Sequence, residues 1–446
     1  MAKNYRIVFE CYKDGEILEI APSQTILSEG KIEKSVDIFT FGLTHKSQIN
    51  LIQSAQDALL KEQIEILEPE NCVHCGNKKF NNNGRSSSNY YDIFTDHRIT
   101  FHRKKCSKCG CEARSATHIL LGDSRSAALI KVQTELGAKY SYRDGEQLLE
   151  MFCGESRQIN NHDRIKNTVE EMGAAVEDMH KTENEMIAIE PAKELIISVD
   201  GGHINTTEEG KRSFEAMTAV VYRPSALISN GSGTRNHLTS KHCVASALND
   251  GQRQMISNTI IAALKEGLCP QTAITALCDG AENCWRIVDA LLPFAASVTC
   301  ILDWFHLSMK ISNIALPNNL KPQLESVKWH LWHGQVNEAL NDLEILINTS
   351  PRAHKLRLEK LQIYVKNNAD KIVNYDKRQN DGLVFTSNLA ESTVESLINQ
   401  RCKGQQHMRW SREGLNPLLQ LRAIITSNDW KTSWKTAILH SISKSL

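Results

Sequence analysis

The sequence predicts an α/β core followed by a polar helical stretch, with a cysteine-rich module and a helical segment ahead of it. Three observations carry that expectation. Apolar, β-branched runs ending in an aspartate recur at "IISVDGGH" (196–203), "ALCDGAENCW" (276–285) and "CILDWFHLS" (300–308). Helical spacing lies between these runs, and a polar helical stretch without strand character follows them from about 311 to 384. Two C-x-x-C pairs stand well upstream of all three.

Taken in order, residues 5–12 alternate like a short strand, and 45–67 have helical spacing; residues 1–70 receive no role. The segment 71–117 holds Cys72-Val-His-Cys75 and Cys106-Ser-Lys-Cys109, each pair followed by glycine. Four soft thiolates in two glycine-ended turns are the ligand set of structural zinc, and the alternating "YYDIFTDHRITFHRKK" between them reads as a hairpin. The pattern predicts a zinc ribbon; Cys111 is a spare. This ribbon is also basic, with Arg103, Lys104 and Lys105 in one run, which suits contact with phosphate.

Residues 118–190 are helical in pattern. Within them 140–173 reads as a helix, a turn at Cys153-Gly154, and a second helix opened by polar residues. In a DNA-binding helix-turn-helix, Asn160, Asn161 and Arg164 would reach base edges; ordinary helix packing is the alternative. Residues 191–310 read as an α/β series, 311–384 as a polar helical stretch and 385–430 as a last block, leaving 431–446 as a tail. Strands are expected near 195–199, 214–222, 241–248, 272–278 and 297–302, with helices near 251–267 and 281–292.

Composition limits the function classes. Net charge is zero, so any nucleic-acid surface must be local. No apolar run approaches a membrane span, and the first residues lack a signal-peptide pattern. The thirteen irregularly spaced cysteines suit a reducing compartment, and a cytoplasmic, nucleoid-associated location is expected.

Asp200 and Asp279 each end an expected strand and are followed by glycine, which keeps a carboxylate uncrowded. Two carboxylates brought together repel unless a cation screens them. Hard oxygen ligands favour Mg2+ or Mn2+, and two ions roughly 3.5–4 Å apart support phosphoryl transfer. A third acid is needed, and Glu391 and Glu395 lie four apart on one helical face, where periodicity does not choose between them. Asp303 competes with Asp279 for the second position. Either aspartate could instead cap the helix that follows it.

The order strand, strand, strand, helix, strand, helix, with acids at these points, resembles the ribonuclease H-like core of DDE transposases. More narrowly, residues 70–430 resemble bacterial insertion-sequence transposases of the ISKra type, related to the Mutator-like group. The motifs are "CVHCG…CSKCG", "SVDGGH", "CDGAENCW", "ILDWFHL" and "ESTVESLINQRCKGQQHMRWS" (391–411). The last is the most specific, with Glu391, Ser392, Arg401, Lys403, Gly404, Met408 and Trp410 in the family's frame. Thr386-Ser387-Asn388 stands where the family carries Gly-Ser-Gly. The family's frame implies one core of 191–310 and 385–430 around a helical insertion at 311–384.

The resemblance implies Asp200, Asp279 and Glu391 as metal ligands for catalytic Mg2+ (or Mn2+). It also implies Asp303 and His306 as an accessory D-x-x-H element, and a structural Zn2+ on Cys72, Cys75, Cys106 and Cys109. The implied partner is double-stranded DNA, as terminal inverted repeats and target, bound by a dimer or higher oligomer. The implied reaction is hydrolysis at an element end followed by joining of the 3′-OH to target DNA. Cations and an aromatic ring at Arg401, Lys403, Arg409 and Trp410 suit a phosphodiester backbone and a stacked base. The alternatives are a ribonuclease H-like nuclease without strand transfer, and a catalytically idle DNA-binding derivative.

Overall fold

The structure, a computed structural model, describes residues 3–12, 23–32, 37–113, 123–154, 157–182, 190–229, 236–386, 393, 395–404 and 408–445. The chain divides into two compact units, Met1–Met172 with Trp434–Leu446, and Gly173–Ser433. Among the described residues no helix is long and apolar enough to cross a membrane.

In the first unit, β1 (Lys3–Cys11) and β2 (Ser23–Ile32) pair antiparallel. Helix α1 (His45–Ile66) starts at Thr44, whose side chain accepts from the Ser47 amide. The expected hairpin is present as β3 (Phe80–Tyr91) and β4 (Asp96–Cys106), with β5 (Glu112–Ala113) completing a three-stranded sheet. Helices α2 (Ala127–Lys139) and α3 (Tyr142–Cys153) follow, and the chain turns at Gly154 with φ +88°. Helix α4 (His162–Thr182) opens later than the sequence suggests. A 3-10 turn, Gln158–Asn160, intervenes, and the Asn161 side chain caps the helix by accepting from the Arg164 amide at 2.8 Å.

The second unit is built on a five-stranded mixed sheet in the order β10-β7-β6-β11-β12. Its members are β6 (Glu194–Asn205), β7 (Ser213–Tyr222), β10 (His242–Ser246), β11 (Ala273–Cys278) and β12 (Ser297–Leu302). A separate small hairpin, β8 (Leu227–Ser229) with β9 (Asn236–Leu238), precedes β10. β7 runs antiparallel to both β6 and β10, whereas β6, β11 and β12 are parallel. Helix α5 (Arg253–Lys265) connects β10 to β11, and α6 (Glu282–Asp289) leads toward β12. Alternate strand residues form one core: Leu195, Ile197 and Val199, then Met217, Ala219 and Val221, packed against Met255 and Ala262 of α5 and Trp285 and Val288 of α6.

One boundary differs from expectation in a way that matters. β6 does not end at Asp200; it runs on to Asn205, paired with β7 as far as Ser213. Two glycines make this workable. A Cβ on Gly201 would sit 2.4 Å from Glu215 Oε1, and one on Gly202 would sit 2.9 Å from Ile398 Cδ1. What ends beside Asp200 is the parallel partner, since Val199 pairs with Cys278, the last residue of β11.

After β12 come α7 (Trp304–Ser312), α8 (Lys321–Trp332), α9 (Val336–Thr349), α10 (Arg352–Asn367) and α11 (Tyr375–Asn380). Trp304, Trp332, Tyr375 and Phe385 form an aromatic cluster with centroids 4.8–6.4 Å apart. Trp304 and Trp332 thus serve packing. The last helices are α12 (Arg412–Thr426) and α13 (Trp430–Ser445).

Candidate functional site

The four ribbon cysteines converge. Cys72 and Cys109 Sγ are 3.5 Å apart, and Cys75 and Cys106 Sγ 3.6 Å, close to the edge of about 3.8 Å for a tetrahedron with bonds of about 2.3 Å. Among the described residues these four are the group of potential metal ligands lying mutually within 4.8 Å. Local backbone builds each half. Gly76 and Gly110, at φ +66° and +73°, turn back so that their amides donate to the Cys72 and Cys106 carbonyls at 2.8 and 3.0 Å. The amide of Cys109, the Asn77 side chain and the Lys108 amide point at the Cys106 sulfur and push its thiol down to about 5. Such a set could hold a metal such as zinc.

The residues expected to touch DNA in this unit are placed unevenly. Arg103 is tied to Glu112 at 2.6 Å and Lys104 is paired with Glu68, while Lys105 is exposed. Asn160 is buried and receives a bond from Gln133 Nε2 at 3.4 Å, so it cannot read a base edge without unpacking. Asn161 is spent as the cap of α4, and Arg164 remains exposed. Asn160 and Asn161 are therefore corrected from base readers to structural residues, because a polar side chain at a helix entry satisfies backbone or core partners first.

The acids of the second unit meet where β6, β11 and α7 come together. The parallel register sets Asp200 and Asp279 at neighbouring positions, each one residue beyond a paired couple. From α7, His306 Nε2 lies 3.8 Å from Asp200 Oδ2 and 3.6 Å from Asp303 Oδ2. That nitrogen is buried and makes no hydrogen bond. Asp303 is fully buried and does cap α7, accepting from the Phe305 amide at 3.2 Å, while its own amide donates to the Cys278 carbonyl at 2.9 Å. Asp279 Oδ1 accepts from the Ala281 amide at 2.9 Å.

Burial pushes the Asp200 carboxyl above its ordinary value. His306 and the Gly201 amide oppose the shift; Asp279 and Asp303 add to it. Burial also pushes the neighbouring Cys278 and Cys284 thiols up, with Asp279 next in effect, so they stay protonated. Asp303 is buried and Asp200 and Asp279 are half-buried, and these carboxylates, with the unbonded His306 nitrogen beside them, converge less tightly than the thiolates.

Glu391 lies outside the described residues, as do Ser387 and Asn388. Ile398 packs on Gly202, which shares a face of β6 with Asp200, and Lys241 Nζ reaches Thr393 Oγ1 at 3.5 Å. Glu395 is exposed and accepts from Asn399. Arg401 is buried, 5.2 Å from the Trp410 ring centroid. Trp410 extends the edge of β6: its amide donates to Asn205 O at 3.0 Å, and its carbonyl accepts from the Thr207 amide at 3.1 Å. Its ring nitrogen donates to Cys402 O at 3.3 Å. Arg401 is thus corrected from a phosphate contact to a buried residue, and Trp410, half-buried, already has its ring nitrogen and backbone bonded within the chain. Lys403 and Arg409 are exposed.

Two groups beside the acids carried no sequence signal. Glu215 lies over Gly201 and accepts from Asn283 Nδ2 at 2.8 Å, and Tyr364 donates to the Asp279 carbonyl at 2.6 Å. The glycine after Asp279 was the available hint, since it marks a close approach without saying by what. No protein-family profile matches the chain, and no curated protein is similar enough in sequence to count as a match.

Proposed function

We propose that this chain is a DNA transposase with a ribonuclease H-like catalytic core, acting through Asp200, Asp279 and Glu391. One observation carries the proposal: Asp200 and Asp279 follow paired residues of adjacent parallel strands, with a buried, unbonded His306 nitrogen facing Asp200. The sheet order, with two mutually antiparallel strands, β7 and β10, on one side of β6 and two strands parallel to it on the other, supports the assignment of the core. So does the packing of Ile398 against Gly202, on the Asp200 face of β6.

Bound Mg2+ or Mn2+ would supply activation of an attacking oxygen and charge stabilisation of a leaving one. The chain's part is to hold the acids. The Gly201 amide donates to Asp200 Oδ1 at 2.7 Å, and the Thr218 hydroxyl fixes the Asp200 carbonyl at 3.2 Å. Water attacks a phosphodiester at the element end, leaving a 3′-OH on the element and a 5′-phosphate on the flanking strand. That 3′-OH then attacks a target phosphodiester in line, and the target's own 3′-oxygen leaves. No enzyme nucleophile is required, in keeping with the protonated thiols around the site. The exposed cations Lys105, Arg164, Lys403 and Arg409 remain candidates for contact with the duplex. Zinc on the ribbon is structural, and pairing of two DNA ends calls for at least a dimer.

The test uses the full chain with Mg2+ and the DNA that flanks its gene, followed by sequencing of the products. Joined products that vanish in Asp200→Ala support a transposase. Cleavage without joining supports a metal nuclease instead. Absence of cleavage and joining in the unaltered chain, with DNA binding that persists in Asp200→Ala, would leave only a DNA-binding role.

A further inference from the structure

We propose that Tyr364 is a positioning residue for the acidic site, holding Asp279 through its main chain; this rests on the assignment of Asp200 and Asp279 as divalent-ion ligands. Tyr364 lies on α10, 85 residues from Asp279, and its hydroxyl donates to the Asp279 carbonyl at 2.6 Å. The ladder of β11 with both neighbours stops at Cys278, so the sheet no longer determines the direction of the next peptide. Tyr364 takes up that carbonyl. Gly280 is what allows it to come so near: its φ is +92°, and a Cβ there would sit 2.8 Å from Tyr364 Cε2 and 3.0 Å from Asn368 Nδ2.

The tyrosine is itself held from two sides, by Asn368 and by Lys310. Asn368 Nδ2 donates to the Tyr364 carbonyl at 3.0 Å, and Asn368 Oδ1 accepts from Trp285 Nε1 at 3.3 Å, which ties α10 to α6. Lys310 Nζ stands 4.6 Å from the Tyr364 ring centroid. Lys310 is four residues beyond His306, so one face of α7 points His306 toward Asp200 and Lys310 over Tyr364. Helix α10 therefore reaches Asp279 through the Tyr364 hydroxyl. Without it, the Asp279–Gly280 peptide can rotate, and the carboxylate loses its aim.

The experiment measures Mn2+ binding to the full chain by electron paramagnetic resonance, with Asp200→Asn and Tyr364→Phe beside the unaltered protein. Asp200→Asn is expected to abolish the Mn2+ site. Tyr364→Phe is expected to weaken Mn2+ roughly three- to tenfold, the range of one lost hydrogen bond, with the number of ions unchanged. A chain carrying p-aminophenylalanine at position 364, which keeps a donor there, should recover most of the affinity. Unchanged affinity in Tyr364→Phe, with binding lost in Asp200→Asn, overturns the positioning role alone. Binding that survives Asp200→Asn overturns the ligand assignment and this proposal with it. A fall in melting temperature of more than about 8 °C in Tyr364→Phe, not rescued by the amine, makes the hydroxyl a fold-holding group and overturns the proposal as well.

Discussion

The ribbon and the acidic centre both gather like-charged ligands, yet they do so from different lengths of chain. Each ribbon half is a knuckle in which two cysteines stand three residues apart and a left-handed glycine folds the backbone around them. Only one hairpin, β3 with β4, is then needed to bring the halves together. The acids come instead from β6, from the end of β11 and from the cap of α7, and their closeness depends on a five-stranded sheet forming first. Local turns yield a compact, fully converged set. Tertiary assembly yields a looser one, with a buried nitrogen still without a hydrogen bond. Hence the first cluster is expected to depend on its metal for structure, and the second to keep its fold without one.

That contrast can be broken most directly at the ribbon. Cys106→Ser, or a strong chelator, should remove bound zinc and unfold residues 72–113, because structural zinc supplies on the order of 10 kcal/mol in small metal-folded modules. Metal analysis and hydrogen exchange would check this; protected β3 and β4 amides in the metal-free protein would refute it. At the acidic centre Asp200→Ala should leave the fold intact while reducing Mg2+-dependent DNA cleavage by about a thousandfold or more, read by single-turnover kinetics.

A third cluster in the second unit shows what a buried charge looks like when the protein itself satisfies it. His242 bonds Glu266 at 2.8 Å and lies 3.4 Å from Asp429. Burial alone would lower its pKa; Asp429 and Glu266 outweigh that and raise it from 6.5 to about 9. A raised histidine stabilises fully below the unfolded value of 6.5 and loses that contribution as pH climbs through about 9. His242→Gln should therefore cost about 2–3 kcal/mol at pH 6 and little at pH 10, measured by urea denaturation.

Asp200 has the opposite sign. A carboxyl whose folded pKa is raised destabilises the fold as pH rises above the ordinary 3.8, so metal-free Asp200→Asn should be the more stable protein at neutral pH. The advantage should vanish below pH 3.8 and shrink when Mn2+ is added. Smallest of all, Arg103→Ala should change stability by about 0.5 kcal/mol or less, since its bond to Glu112 is half exposed, and a larger loss would point to a role beyond that pair.

Much of the framework could be read directly. The strand expected at 297–302 coincides with β12, and the helix expected at 45–67 is α1 to within a residue, because both have clean periodicity. The end of β6 could not be read. "DGGH" looks like a strand stop, but an extended Gly-Gly is needed there so that Glu215 and Ile398 can pack close. Asn160 and Trp410 misled for a related reason: polar and aromatic residues that suit DNA also suit buried caps and strand edges, and composition does not separate the two.

The sequence by itself determined where thiolates cluster, since ligand spacing and glycine turns act over a few residues. It also determined which runs become strands, through β-branched periodicity. Only the tertiary structure decided which acids are neighbours, which cations are already paired, and that Tyr364 from a distant helix holds Asp279. Those outcomes depend on strand register and on helix packing across tens of residues, where many partners satisfy the same local pattern and burial selects among them.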